Sequence, residues 1–324
     1  MNHIMNRQAF VDANGVFDAQ AAYPFVVAQG RNIETRIYSR RYPAFEYAPV
    51  VPVVTEGNAW AIGTTFFTVD VTGEAKFLSG SGTDMPFNSA IRDQASHDFA
   101  MIGSGWEWNI EEINQGALYG VPLNDTKAMS ASQNIERLLY NIAMTGSTEK
   151  NWKGFANYTG VSRVDVANDG TGTSTFWSTK TPAQILRDMH LAVWTVRLQS
   201  NDVEIADTLA LPPEAMQYVT ITYVGTEGTS PTILERFKAT HPGVSVIEVP
   251  ALKTASNDGG GRMVAYRRDP EVLRFHLPMP RQVLQPRQKA IMGFETGIIA
   301  RTGGTEVRLP GAMAYLDEVT APPA

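Results

Sequence analysis

An α+β fold is predicted by three features of the sequence. Segments dense in Thr, Val and Phe alternate as half-exposed strands do, as in WAIGTTFFTVDVTGEAKFL at 60–78. One stretch, 124–145, carries apolar residues at helical spacing. Between 181 and 264, strand and helix patterns interleave, the order of a small mixed sheet.

Composition bounds the rest. The 324 residues suffice for one large domain or two ordinary ones, and 43% apolar with 19% charged residues excludes wholesale disorder. No stretch approaches eighteen apolar residues, so no membrane span or membrane partner is expected. MNHIMNRQAF lacks the cationic start and apolar run of a signal peptide, which makes the N-x-T matches at Asn124 and Asn157 chance. A chain without cysteine has no disulfides, thiolate metal sites or cysteine nucleophiles. The net charge of −6 argues against a dedicated nucleic-acid binder.

Residues 1–55 hold prolines at 24, 43, 49 and 52, which favour extended chain over helix. Tyr23, Phe25, Ile37, Tyr42, Phe45 and Tyr47 make the segment too apolar for a free linker. It reads either as a loosely attached terminus or as an arm lying on a neighbour. The strand at 60–78 follows, then the polar SGSGTDMPFNSAIRDQ at 79–94, then a strand-like ASHDFAMIGSGWEWNI. Two strands around so long a polar tip predict a protruding hairpin. Its tip holds Met85, Phe87 and Ile91, apolar residues with no evident partner nearby.

GWEWNIEEINQGALY predicts a short helix, broken at Gly-Val-Pro before the long one. In 124–145 the positions 128, 131, 135, 138, 139 and 142 form one apolar face, with Asn124 or Asp125 able to cap its start and Gly146 to end it. Lys127, Ser130, Asn134, Arg137 and Asn141 occupy the opposite face, which suits either solvent around a core helix or a polar interface. After a Gly/Thr-rich linker at 168–178, Thr181, Pro182 and Gln184 spell a capping box, and Ile185, Leu186, Met189, Val193 and Val196 a buried stripe. DTLALPPEAMQYVTITYV predicts strands around Pro-Pro, Ser230-Pro231 starts a helix, and VSVIEVPAL is a strand. KTASNDGGGR at 253–262 is expected to be a mobile surface loop, since neither GxxxxGK[ST] nor GxGxxG is present. Residues 291–299 alternate as a long strand, which Thr302-Gly303-Gly304 is expected to turn back as a hairpin.

Catalytic signatures are lacking. His3, His97, His190, His241 and His276 show no HExxH or HxH spacing, and there is no GxSxG elbow. His190, beside the buried stripe, reads as a structural histidine, and Glu111-Glu112 as the acidic first turn of a helix. Neither an enzyme nor a cofactor is expected.

The order of these segments resembles that of tailed-phage major capsid proteins of the Hong Kong 97-type fold, over roughly 56–319. The resemblance rests on the two-tryptophan helix start at 106–120, the GF-x-N motif at 154–157, and the closing R-T-G-G hairpin. It implies an N-terminal arm at 1–55, an extended E-loop hairpin at 56–108, and a P-domain at 109–180 with 265–319 whose spine is the long helix. It also implies an A-domain at 181–264 and a C-terminal end at 320–324. The implied function is structural: self-assembly of pentamers and hexamers into an icosahedral shell around phage double-stranded DNA, assembled in the bacterial host cytoplasm and found in the virion capsid. The E-loop tip (Met85, Phe87, Ile91) and an axial A-domain loop (Asn257, Asp258, Arg262) would make intersubunit contacts. Because only about fifty-five residues precede the hairpin, a separate scaffolding protein is expected, with a portal and a decoration protein as further partners. DNA would be contacted weakly and non-specifically. Lys76 is expected to be a solvated lysine, not a cross-link site. Alternatives are an encapsulin-like shell around a cargo enzyme and an unrelated soluble enzyme.

Overall fold

The computed structural model describes residues 46–77, 85, 87–112, 114, 123–226 and 229–322. The expected arm up to Phe45, and residues 78–84 and 86 of the hairpin tip, lie outside these. The side chains of Asn124 and Asp125, the expected helix caps, and of Ile91 lie outside them as well.

The body starts at Tyr47, whose ring meets that of Phe275 at 5.0 Å, and continues through β1 (Val53–Val54). Strands β2 (Gly63–Thr72) and β3 (Ser89–Asp98) then pair antiparallel from Gly63↔Asp98 to Thr72↔Ser89, forming the expected hairpin. The returning strand does not continue to Asn109. Phe99 interrupts it, and β4 (Ala100–Asn109) pairs instead with residues 293–302 over its full length. Trp106 and Trp108 therefore lie in a strand, correcting the helix expected there; helix begins only at 110–112. Alternating burial along β4 shows why: Ile102, Trp106 and Trp108 fall on one face at a period of two.

Helix α1 (Leu123–Thr145) buries Ala131, Ile135, Leu139 and Ile142 as expected, whereas Leu138 remains exposed. Gly146, at φ +82°, ends it in the left-handed region. The short pair β5 (Gly146–Ser147) and β6 (Trp152–Lys153) reverses the chain. The GF-x-N motif then closes the helix terminus. Phe155 and Ala156 donate to the Ala143 and Met144 carbonyls, while Asn157 accepts from the Gly154 N–H and donates to the Thr145 carbonyl. Four carbonyls orphaned at a helix end need such partners.

Strand β7 (Ser162–Asp165) leads to α2 (Pro182–Gln199), which carries the predicted capping box between Thr181 and Gln184. β8 (Thr208–Leu211) precedes Pro212. The next residues form α3 (Pro213–Ile221) rather than a strand, because Pro213 occupies the first helical position where its missing N–H costs nothing. α4 (Ile233–Thr240), capped by Thr232 and Glu235, and β9 (Ser245–Glu248) complete this unit. The remaining strands are β10 (Met263–Tyr266), β11 (Leu273–His276), β12 (Met279–Val283), β13 (Arg287–Ala290), β14 (Gly293–Thr302), β15 (Gly304–Val307) and β16 (Met313–Asp317).

Among the described residues the main sheet has five strands in the order β7-β16-β10-β8-β9, parallel at β7/β16 and β8/β9 and antiparallel elsewhere. Its side chains alternate between two cores. Val264, Tyr266, Met313, Tyr315 and Ala210 face α1 and Phe155. Met263, Ala265, Ala314, Leu316, Leu209 and Leu211 face α2, α3 and α4. The expected domain divide at 264/265 falls inside β10, so this sheet draws strands from both sides of it. A second sheet, in which β14 pairs with β4, β12 and β13, sets β4 and β14 against α1, and a third joins β1, β11 and β15. The R-T-G-G segment is therefore not a hairpin. β14 and β15 belong to different sheets, and the corner between them relies on Gly304 at φ +75°.

Candidate functional site

Among the described residues the hairpin is an antiparallel pair that hydrogen-bonds to no third strand, and it carries exposed Phe67, Phe77, Met85 and Phe87, the last at 89%. None of the four belongs to either core. A two-stranded ribbon is only marginally stable alone, so its root matters. Phe99 donates its N–H to the Ile62 carbonyl, Arg308 stacks on the Phe66 ring at 4.4 Å, and His97 Nε2 donates to the Gly303 carbonyl. His276 donates to Glu306 at 2.7 Å just beneath. Burial holds the His97 imidazole below the usual histidine range, against the opposing effect of its carbonyl bond. Burial also pushes the Glu306 carboxyl up, but His276 and Arg308 outweigh it, and its pKa falls below the ordinary value.

The 253–262 loop differs from expectation. Asn257 and Asp258 are exposed, with Asn257 accepting from Arg163 at 2.9 Å. Arg262, however, is 1% exposed and is spent within its own subunit. Its guanidinium forks onto the Asp317 carboxylate, donates to the Ala156 carbonyl and lies 4.6 Å from the Tyr315 ring centroid. The expectation of an axial contact through Arg262 is thereby corrected. Nor is the loop loose: Gly261 N–H bonds to the Thr320 carbonyl, and a Cβ on Gly260 would come 2.6 Å from that same oxygen. The glycines serve close packing against the C-terminal segment.

Two surfaces escaped the sequence reading. On α2, Leu191, Trp194 and Leu198 form an exposed stripe opposite the buried one, extended by Val203 and Ile205. Their i, i+3, i+7 spacing was visible in the sequence, masked by the stronger inward stripe. At the other end of the helical layer is an open concavity of about 640 Å³ lined by Glu214, Tyr218, Ile221, Lys253 and Pro322.

The polar clusters have structural roles. Lys180 and Asp188 pair at 2.7 Å, both fully buried, with Arg187 and Asp169 alongside. His190 Nδ1 lies 2.8 Å from His241 Nε2, a pairing the linear spacing concealed, and burial lowers both pKa values, with His241 lowering His190 further. Among the described residues no group of three or more His, Cys, Asp or Glu is placed to hold a metal ion.

The model of a family described as major capsid protein matches residues 73–319. Among curated proteins, none matches. Solved structures share the fold. The capsid of Myoviridae phage XM1 superposes with a TM-score of 0.77 at 15% identity, over 89% of this chain and 97% of that one. The capsid of a native GTA particle gives 0.59 at 10% identity, covering 90% and 95%. Mycobacterium phage Ogopogo gives 0.57 at 10%, covering 91% and 98%.

Proposed function

The chain belongs to the major capsid protein family and has the Hong Kong 97-type fold, and from that premise we propose that it builds an icosahedral shell around phage double-stranded DNA. Its role is structural. Copies associate as pentamers and hexamers through many weak, repeated contacts, and closed symmetry makes their sum decisive. The observation that carries this reading is the hairpin. It holds Phe67, Phe77, Met85 and Phe87 in water, where a monomer would have no use for them. Burying each on a neighbour would stabilise the contact by at most about 1.5–3 kcal/mol.

Assembly takes place in the host cytoplasm with a separate scaffolding protein, and the finished shell adds a portal and a decoration protein. DNA is touched locally and without sequence preference, in keeping with the net charge of −6. Replacing 75–87 by a short Gly-Ser turn keeps the whole β2/β3 ladder from Gly63↔Asp98 to Thr72↔Ser89. The variant subunit should keep its circular dichroism spectrum and fail to form closed shells by electron microscopy. Normal shells from this variant would remove the hairpin from the assembly mechanism. Nucleic acid content of purified particles separates this reading from a cargo-enclosing shell, which would hold protein instead.

A further inference from the structure

We infer that subunits within one ring join head to tail through the helical layer. The α2 stripe of one copy would sit in the concavity beside α3 of the next. The inference rests on the capsid reading and names the partner of two surfaces that reading leaves unused.

The stripe is a built feature. α2 has a complete capping box and a fully buried inner face, so nothing in its own fold requires apolar residues outside. Yet Trp194 is 45% exposed and Leu198 70%, with Val203 and Ile205 continuing past the helix end. Val203 donates to the Ser200 carbonyl and Asn201 to that of Leu198, which holds this turn against the stripe. The resulting patch is on the order of a few hundred Å², at the size that marks interaction sites on soluble proteins. It falls short of the roughly 800 Å² per partner of a stable isolated dimer. A repeated contact in a closed ring does not need that area, because each copy is held on two sides.

The socket lies at the opposite end of the same layer. Ser178, just before α2, lines it together with Thr320, Ala321 and Pro322. The other end of α2 is fixed by Gln199, which donates to the Gly311 and Met313 carbonyls. Eighteen helical residues separate the two ends by about 27 Å. An exposed apolar face towards one end of a unit and a hollow towards the other make a heterologous contact when they meet, the kind that generates rings. The charges suit it too. Beside the stripe Arg197 pairs with Asp202, and beside the hollow Lys253 pairs with Glu214 at 2.7 Å. Each rim offers one cation and one anion, so the two can meet without a stranded like charge.

The chain has no cysteine, which permits a direct test. Leu198→Cys and Ile221→Cys are introduced singly and together, and assembled particles are treated with a short bis-maleimide. The double variant should give a denaturing-gel ladder rising to five and six subunits, whereas either single variant should give essentially none. Shells that form without a ladder would overturn the head-to-tail contact while leaving the capsid reading intact. Unmodified protein that stays monomeric even with scaffolding protein supplied would instead overturn the capsid reading. As a second measurement, Leu198→Glu should fold with an unchanged circular dichroism spectrum and reduce particle yield at least tenfold; unchanged yield would also sink the inference.

Discussion

Arg262 offers the sharpest test of how the two cores are tied together. Its side chain reaches from the residue just before β10 to β16 and to the loop that seals α1, linking Asp317 with the Ala156 carbonyl. Arg262→Met would leave the Asp317 carboxylate buried without a cation and the Ala156 carbonyl short of a donor. Breaking a buried, hydrogen-bonded pair from one side costs about 3–5 kcal/mol. At about 2 °C per kcal/mol for a chain of this size, Tm should fall by about 6–10 °C. The double variant Arg262→Met/Asp317→Leu removes both charges and should recover most of that loss, since apolar replacements of buried pairs are often neutral. Urea unfolding of unassembled subunits measures all three proteins. A loss under about 1 kcal/mol for Arg262→Met would refute the reasoning. Unchanged subunit stability with failed ring formation would restore Arg262 to an intersubunit role.

Three further outcomes are expected. Gly154→Ala places a Cβ 2.4 Å from the Met144 backbone and should destabilise the subunit by about 3 kcal/mol or more in urea, because backbone cannot step aside. Burial lowers the pKa of His97, His190 and His241, so the unfolded chain binds more protons than the fold between those lowered values and about 6.5. Their contribution to stability is therefore complete above pH 6.5 and lost as pH falls below it. Tm should drop from pH 7 to pH 5.5, and His97→Gln, which keeps a donor for the Gly303 carbonyl, should shallow the slope; an unchanged slope would remove His97 from this account. Unassembled subunits should bind duplex DNA only weakly at physiological salt, and still more weakly as salt rises, in a fluorescence anisotropy titration. Tight, sequence-selective binding would contradict the assignment of DNA contacts as local and non-specific.

What the sequence disclosed follows from how local each signal is. The Thr181 capping box, the buried stripe of α2 and the Gly146 terminus all depend on residues within a few positions, and all appear as read. Alternation located β2 and β14 but carries no information about partners. β4 therefore passed for the rest of a hairpin, and the R-T-G-G corner for a turn between paired strands. Trp106 and Trp108 fit a strand period as well as a helix start, and only the ladder to β14 decides between them. The burial of Arg262 is hidden from the sequence for a related reason. Three preceding glycines suggest mobility, whereas Gly260 and Gly261 allow close approach to Thr320, about 60 positions away in the chain, and Arg262 beside them is buried. The outward stripe on α2 went unread because a second apolar face resembles noise unless the inner face is known to be satisfied.

The central claim is that this chain closes upon copies of itself. Purified protein, alone or with a scaffolding partner, should be examined by negative-stain electron microscopy alongside analytical ultracentrifugation. Closed, regular shells of megadalton mass are expected, or free pentamers and hexamers where the scaffold is withheld. A monodisperse monomer that persists across concentration, salt and added scaffold would contradict it.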